Sequence, residues 1–312
     1  METSSFTRTL DMILDESKQY YGLIAETYYI NEVSLIEKIR KINFKKILSF
    51  IFDRFIGIIK AIWDQFRAMY HEFMQKSALI KKYRKKLETI DWDVEIETER
   101  SMYTNLGDSR DASMYKMTIN NQYSILTQSL EEIAQCKNIG SIHTIILNMK
   151  NDMGELESYL NQERGISIGS RSDITKEEYA QAVSIHFCPN KISNGVLHPS
   201  EVQNMVKEYF DFKTVEKAIT KDKDSLDSAA KDLKNKISRI NLEKYCPEQN
   251  INPEISELFL EMIREYCNRI QGVCNIYTQL FSIKLDMFKQ YKVQQTKVLT
   301  EVIIKSIREG KM

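Results

Sequence analysis

The sequence predicts a mainly α protein, an elongated helical bundle of long amphipathic helices with room for one small β-hairpin. Three observations carry this. The 312 residues hold only 10 Gly and 4 Pro, which starves the chain of turns and favours few, long helices over many short strands. Apolar residues at 42% are enough for a core, and with charged residues at 28% the chain is too apolar for disorder. Apolar positions also recur by threes and fours over long stretches near both ends of the chain.

Residues 3–37 read as a first, acidic helix, with Leu10, Ile13, Leu14, Tyr21, Leu23 and Ile24 at helical spacing and a break near Gly22. A second helix is expected from Phe44 to about Leu87. Phe44, Leu48, Ile51, Phe55, Ile58, Ile62, Phe66, Met69 and Phe73 form one row. Ile47, Phe52, Ile56, Ile59, Trp63, Tyr70 and Met74 lie beside it, so the apolar face is wider than a coiled-coil seam. As one helix it would be about 65 Å long at 1.5 Å per residue. Gly57 inside it marks a bend or a close helix contact.

Alternation then replaces helical spacing. Trp92, Val94 and Ile96 interleave with acids, and Tyr115, Met117 and Ile119 alternate again, which suggests the two strands of a hairpin. Helices resume over 121–136 and 141–163, on either side of Gly140. Two loops, "RGISIGSRSD" and "CPNKISNGVLHP", precede capping boxes at Thr175 with Glu178 and Ser200 with Gln203. From Val215 to Ile240 a narrow heptad-like seam runs through Ile219, Leu226, Leu233 and Ile237. A last helix runs from about Pro253 to Arg308, with Leu258, Met262, Tyr266, Ile270, Val273, Tyr277, Leu280, Leu285, Phe288, Val298, Val302 and Ile307 on its buried side. By chain position, 1–90 holds the acidic and basic helices and 91–120 is a polar, partly extended segment. Residues 121–312 form a C-terminal helical bundle, packed with 1–90 as one unit.

The formal net charge is zero, which argues against a protein that coats nucleic acid over its whole surface. The charge is unevenly placed, however. Residues 38–86 carry fourteen bases against three acids, a net +11. The stretch that follows, "ETIDWDVEIETE", is wholly acidic among its charged residues. A basic helix between acidic neighbours is either neutralised within its own fold or kept for a partner. The candidate basic contact surface is Lys45, Lys46, Lys60, Arg67, Lys81, Lys82, Arg84, Lys85 and Lys86. The candidate apolar face, for packing or for a membrane, is Phe52, Phe55, Ile59, Trp63, Phe66, Tyr70 and Phe73.

No enzymatic constellation stands out. His186, Cys188 and His198 lack the further ligands that a zinc site needs. None of the four histidines sits in a catalytic motif, and the chain has no GxSxG and no phosphate-binding glycine loop. The five cysteines, Cys136, Cys188, Cys246, Cys267 and Cys274, contain no CxxC and read as reduced thiols of a cytoplasmic product. The first residues carry acids where a signal peptide needs bases, and no apolar run reaches transmembrane length. No catalytic residue, cofactor, metal or small-molecule substrate is implied.

The order of elements, with "YYINE", then "FIFDRFIGIIKAIWDQFRAMYHEF" running into "LIKKYRKKL", and a closing "YCNRIQGVCNIYTQLFSIKLDMFKQY", resembles virion structural proteins of large tailed bacteriophages of Gram-positive hosts. The resemblance covers residues ~10–100 and ~250–300 best. It implies a non-enzymatic particle component of the head or neck, or an internal protein, made in the host cytoplasm. Its partners would be other virion proteins and further copies of itself. The alternatives are a membrane-active protein, ejected or toxin-like, that inserts the Phe52, Ile59 and Trp63 side into a bilayer, and a protein in non-specific contact with DNA.

Overall fold

The computed structural model describes residues 44–96, 100–101, 110–135, 140–148, 191–192, 195–245 and 253–312. They are mainly helical: α1 (Phe44–Lys76), α2 (Ala78–Glu88), α3 (Arg110–Gln135), α4 (140–148), α5 (Pro199–Phe210), α6 (Phe212–Ser238) and α7 (Pro253–Arg308). A 3-10 turn covers Leu242–Tyr245, and four short strands are β1 (Val94–Ile96), β2 (Arg100–Ser101), β3 (Lys191–Ile192) and β4 (Gly195–Leu197). The expectations for residues 3–37 and for the Thr175 cap lie outside the described residues.

The chain divides into two compact units, each assembled from three separate stretches. The first takes its described residues from 44–61, 110–148 and 224–278, and the second from 62–101, 191–223 and 279–312. In the first unit, α1 buries Phe44, Leu48, Phe52, Phe55 and Ile59, at steps of three and four. Phe55 stacks on Tyr115 of α3 with centroids 4.9 Å apart, and Tyr115 meets Tyr277 of α7 edge-on at 5.1 Å. Three helices are thereby joined through one ring ladder, each pair worth about 1 kcal/mol beyond its buried area. The seam of α6 in this unit is Leu226, Ala230, Leu233 and Ile237, all buried, and Ile219, buried in the second unit, continues the heptad spacing.

In the second unit the core gathers Ile80 and Leu87 of α2, Val94 and Ile96 of β1 and Leu197 of β4. Val202, Val206 and Tyr209 of α5 complete it with Leu299, Val302 and Ile303 of α7. Strand β1 pairs antiparallel with β4, Val94 opposite Leu197 and Ile96 opposite Gly195. Strand β2 pairs antiparallel with β3. Lys305 donates to the Glu95 carbonyl at 2.9 Å, and the Trp92 indole N–H to Ser306 Oγ at 3.4 Å, so α7 holds β1.

The structure corrects several sequence readings. The partner of the 94–96 strand is 195–197, inside a stretch read as a loop. Tyr115, Met117 and Ile119 lie in helix α3 instead. Tyr115 and Ile119 are buried and Met117 is 56% exposed, so the spacing that matters is i, i+4. The helix expected to run on to Leu87 breaks at Ser77. The Ser77 hydroxyl donates to the Met74 carbonyl at 2.8 Å, and the Ser77 carbonyl accepts the Lys81 N–H at 3.1 Å and opens α2. Gly57 makes no close contact, since a Cβ there meets nothing within 4 Å. Helix α5 is capped by His198 with Pro199 at its first turn, and the Glu201 carboxylate accepts the His198 N–H at 2.9 Å. Gln203, expected to close that cap, donates to the Ile90 carbonyl at 2.8 Å. On α7, Ile307 is 42% exposed, and Leu299 and Ile303 fill the core in its place.

Candidate contact surface and a buried lysine cluster

The nine bases singled out in the sequence meet different fates. In the first unit, Lys45 donates to the Ser238 carbonyl at 2.7 Å and closes the last turn of α6. Lys45 and Lys46 line a shallow recess with Lys234, whose ammonium is held by Asp53 at 2.7 Å. Lys60 is exposed. In the second unit, Arg67 pairs with Glu216 at 2.9 Å. Arg84 is committed twice, to Glu88 at 2.7 Å and to the face of Phe210 at 4.4 Å. Lys81, Lys82, Lys85 and Lys86 are left exposed on α2, with Lys82 and Lys86 flanking the Tyr83 ring at 5.3 and 6.0 Å.

The aromatic face is consumed by packing. Phe52 and Phe55 are buried with Ile59 in the first unit, and Trp63, Phe66 and Tyr70 in the second; Phe73 is half-buried against the core. Phe66 and Tyr70 both lie on Phe288 of α7, at 5.5 and 6.0 Å. Among the described residues, no helix is long and apolar enough to cross a membrane.

A further polar arrangement, among the described residues, was not read from the sequence. The last turn of α5 leaves carbonyls without helical partners. Three of them are satisfied in succession: Lys207 by the Asp211 N–H at 3.0 Å, Glu208 by Lys292 Nζ at 2.6 Å, and Tyr209 by the Tyr70 hydroxyl at 3.4 Å. Lys292 is 2% exposed, and its ammonium faces the rings of Phe288, Tyr209 and Tyr291 at 5.3–5.8 Å. Burial pushes its pKa down to about 8, against the pull of Glu208 and Asp211. The Glu208 carboxylate in turn accepts from the Tyr291 hydroxyl at 2.6 Å and, more weakly, from Gln295 Nε2 at 3.4 Å. Burial and that bond to Glu208 push the Tyr291 phenol up. An ammonium so enclosed is a clamp on a helix end, out of reach of a substrate. One signal was there: Leu285, Phe288, Lys292, Gln295, Leu299 and Val302 step by threes and fours, so Lys292 and Gln295 occupy core positions of α7.

The other titratable groups have structural surroundings. Cys267 and Cys274 are free and buried, and burial pushes both thiols up to about 12, so they stay protonated and unreactive. Exposed His198 holds Asp93 at 3.0 Å, and that bond raises its pKa. His186 and Cys188 lie outside the described residues, among which no group of three or more His, Cys, Asp and Glu is placed to hold a metal ion. No protein-family model, no curated protein and no solved structure matches the chain.

Proposed function

We propose that the protein is a non-enzymatic structural component that works through helix–helix and subunit contacts, with a lysine-rich face presented to its surroundings. The observation that supports this most is how the long helices divide their surfaces. Their aromatic rows are used up in packing, while their uncommitted charge faces outward on α2. Well-packed units with a charged exterior suit repeated contacts in an assembly. The resemblance noted above supplies the setting, a bacteriophage particle, with the protein in the head, in the neck or among the internal proteins. The membrane-active alternative is less well supported, because Phe52, Ile59 and Trp63 would each have to leave a packed interior to reach lipid.

The test is to purify particles made with the gene in its native context. Intact and DNA-emptied particles are then compared by quantitative peptide mass spectrometry. Stoichiometric retention in both is expected of a fixed component. Loss with the DNA would instead mark an ejected protein, and absence from both would sink the virion setting.

A further inference from the structure

We propose that the outward face of α2, formed by Lys81, Lys82, Lys85 and Lys86, is a docking surface for the phosphate backbone of double-stranded DNA. The inference rests on the structural reading above and names one partner for it. Four observations carry it. First, the four lysines lie at i, i+1, i+4 and i+5, so all project within one sector of the helix, and Lys81 and Lys85 are about 6 Å apart along the axis. Second, three of the four described acids at or just after the end of the helix are engaged elsewhere, Glu88 with Arg84, Asp93 with His198 and Glu95 with Lys305, which leaves exposed Asp91 alone against four lysines. Among the described residues none of the four lysines has a carboxylate partner. Third, the helix dipole accounts for only part of the cluster. Lys85 and Lys86 sit in the last turn, where cations are favoured, whereas Lys81 and Lys82 lie a turn nearer the positive end. Fourth, the helix cannot move away from the surface it offers, because Ile80 and Leu87 on its other side are 1% and 0% exposed in the core.

The same geometry selects the partner. An interfacial helix binds lipid by burying its apolar side in the bilayer, and here that side is already occupied by the core. Single strands are held largely by stacking on aromatic side chains, and the one ring within the patch, Tyr83, is partly buried and flanked by lysines. A purely cationic face gains most from counterion release on a duplex, where each lysine contributes more than on a single strand.

The experiment measures binding of the full chain to a 30-base-pair duplex of arbitrary sequence, titrated with salt. Four phosphate contacts predict a slope of about −3.6 in log K against log salt, a loss of about a hundredfold between 50 and 200 mM. Replacing the four lysines together (Lys81→Gln, Lys82→Gln, Lys85→Gln, Lys86→Gln) removes the binding, and arginine at the same positions keeps it. Glutamine at the exposed Lys116, Lys213, Lys217 and Lys297 leaves it nearly unchanged. The urea midpoint and far-ultraviolet circular dichroism of each variant verify that it is folded. No binding at 50 mM salt, or equal loss in the two glutamine sets, overturns the proposal. Retention on phosphatidylserine vesicles without retention on DNA overturns it in favour of lipid. A protein that is stoichiometric in particles yet fails on DNA loses this inference alone; one that binds DNA but is absent from particles loses the virion setting alone.

Discussion

Lys45 in the first unit and Lys292 in the second make the same kind of bond. Each ammonium donates to a carbonyl in the last turn of a helix, Ser238 at 2.7 Å and Glu208 at 2.6 Å. Their surroundings differ: Lys45 is exposed, while Lys292 is 2% exposed among three aromatic rings. Water can replace Lys45 at its carbonyl, but little can replace Lys292. Burial thus turns an interchangeable surface contact into one on which the end of a helix depends, and it moves the proton equilibrium of the amine as well.

The largest expected effect follows from that proton. Above pH 8 the folded Lys292 is neutral, while the unfolded lysine keeps its proton to about 10.5. Over this window the unfolded state binds the extra proton, so this group's contribution to stability rises with pH and is lost again as pH falls through 8. The whole protein will not simply gain, because the thiols of Cys267 and Cys274, held near 12, favour unfolding above about pH 9. The readout is therefore the gap in urea stability between wild type and Lys292→Met, measured at pH 7.5 and pH 10. It should widen by on the order of 2 kcal/mol. A constant gap would mean that Lys292 is not desolvated in solution.

At a fixed pH of 7.5 the same two lysines give the next contrast. Lys292→Met strands the Glu208 carbonyl at a part-buried helix end and is expected to cost about 1–2 kcal/mol, read as a shift of the urea midpoint at constant slope. Lys45→Met should change stability by no more than about 0.5 kcal/mol. Equal effects would remove the distinction between the two regions.

A smaller effect, of opposite sign, comes from the exposed side of α1. Gly57 is exposed in mid-helix, and a Cβ added there would meet nothing within 4 Å. Gly57→Ala should therefore stabilise by about 1 kcal/mol, seen as a higher melting temperature. A loss of stability would mean that a helix bend or close contact does exist at that point, the expectation that a mid-helix glycine raises.

How much of this could be read beforehand depended on whether the deciding partner was local. The last helix, Pro253–Arg308, agrees with its predicted span because its apolar stripe alone defines it. The break at Ser77 was missed because no Gly or Pro marks it; a hydroxyl competing for the Met74 carbonyl does the work. The β pairing was missed because 94–96 and 195–197 are a hundred residues apart, and a strand of three carries no signature of its partner. For the candidate site, the sequence named nine bases but could not say which were already engaged. Arg67 and Arg84 find partners far along the chain, Glu216 and Phe210. The Lys292 cluster was hidden for the opposite reason, since a lone lysine in a helix reads as surface unless its heptad position is weighed against its neighbours.

The smallest expected effect separates the packed face from the charged one. Trp63 is 6% exposed and lies against Phe66 at 5.6 Å, on the side that a membrane-inserting helix would use. Trp92 must first be changed to Phe so that Trp63 is the sole indole, at the loss of one hydrogen bond to Ser306. Vesicles rich in phosphatidylserine should then leave the emission of Trp63 where it was, because the indole already sits in an apolar interior and has nothing to gain by leaving it. Exposing the row of rings around it would forfeit roughly 1.5–3 kcal/mol for each large side chain until lipid re-covered it. A shift or quenching by a lipid-borne quencher would show that the helix does leave its core, and would place the membrane alternative ahead of the scaffold.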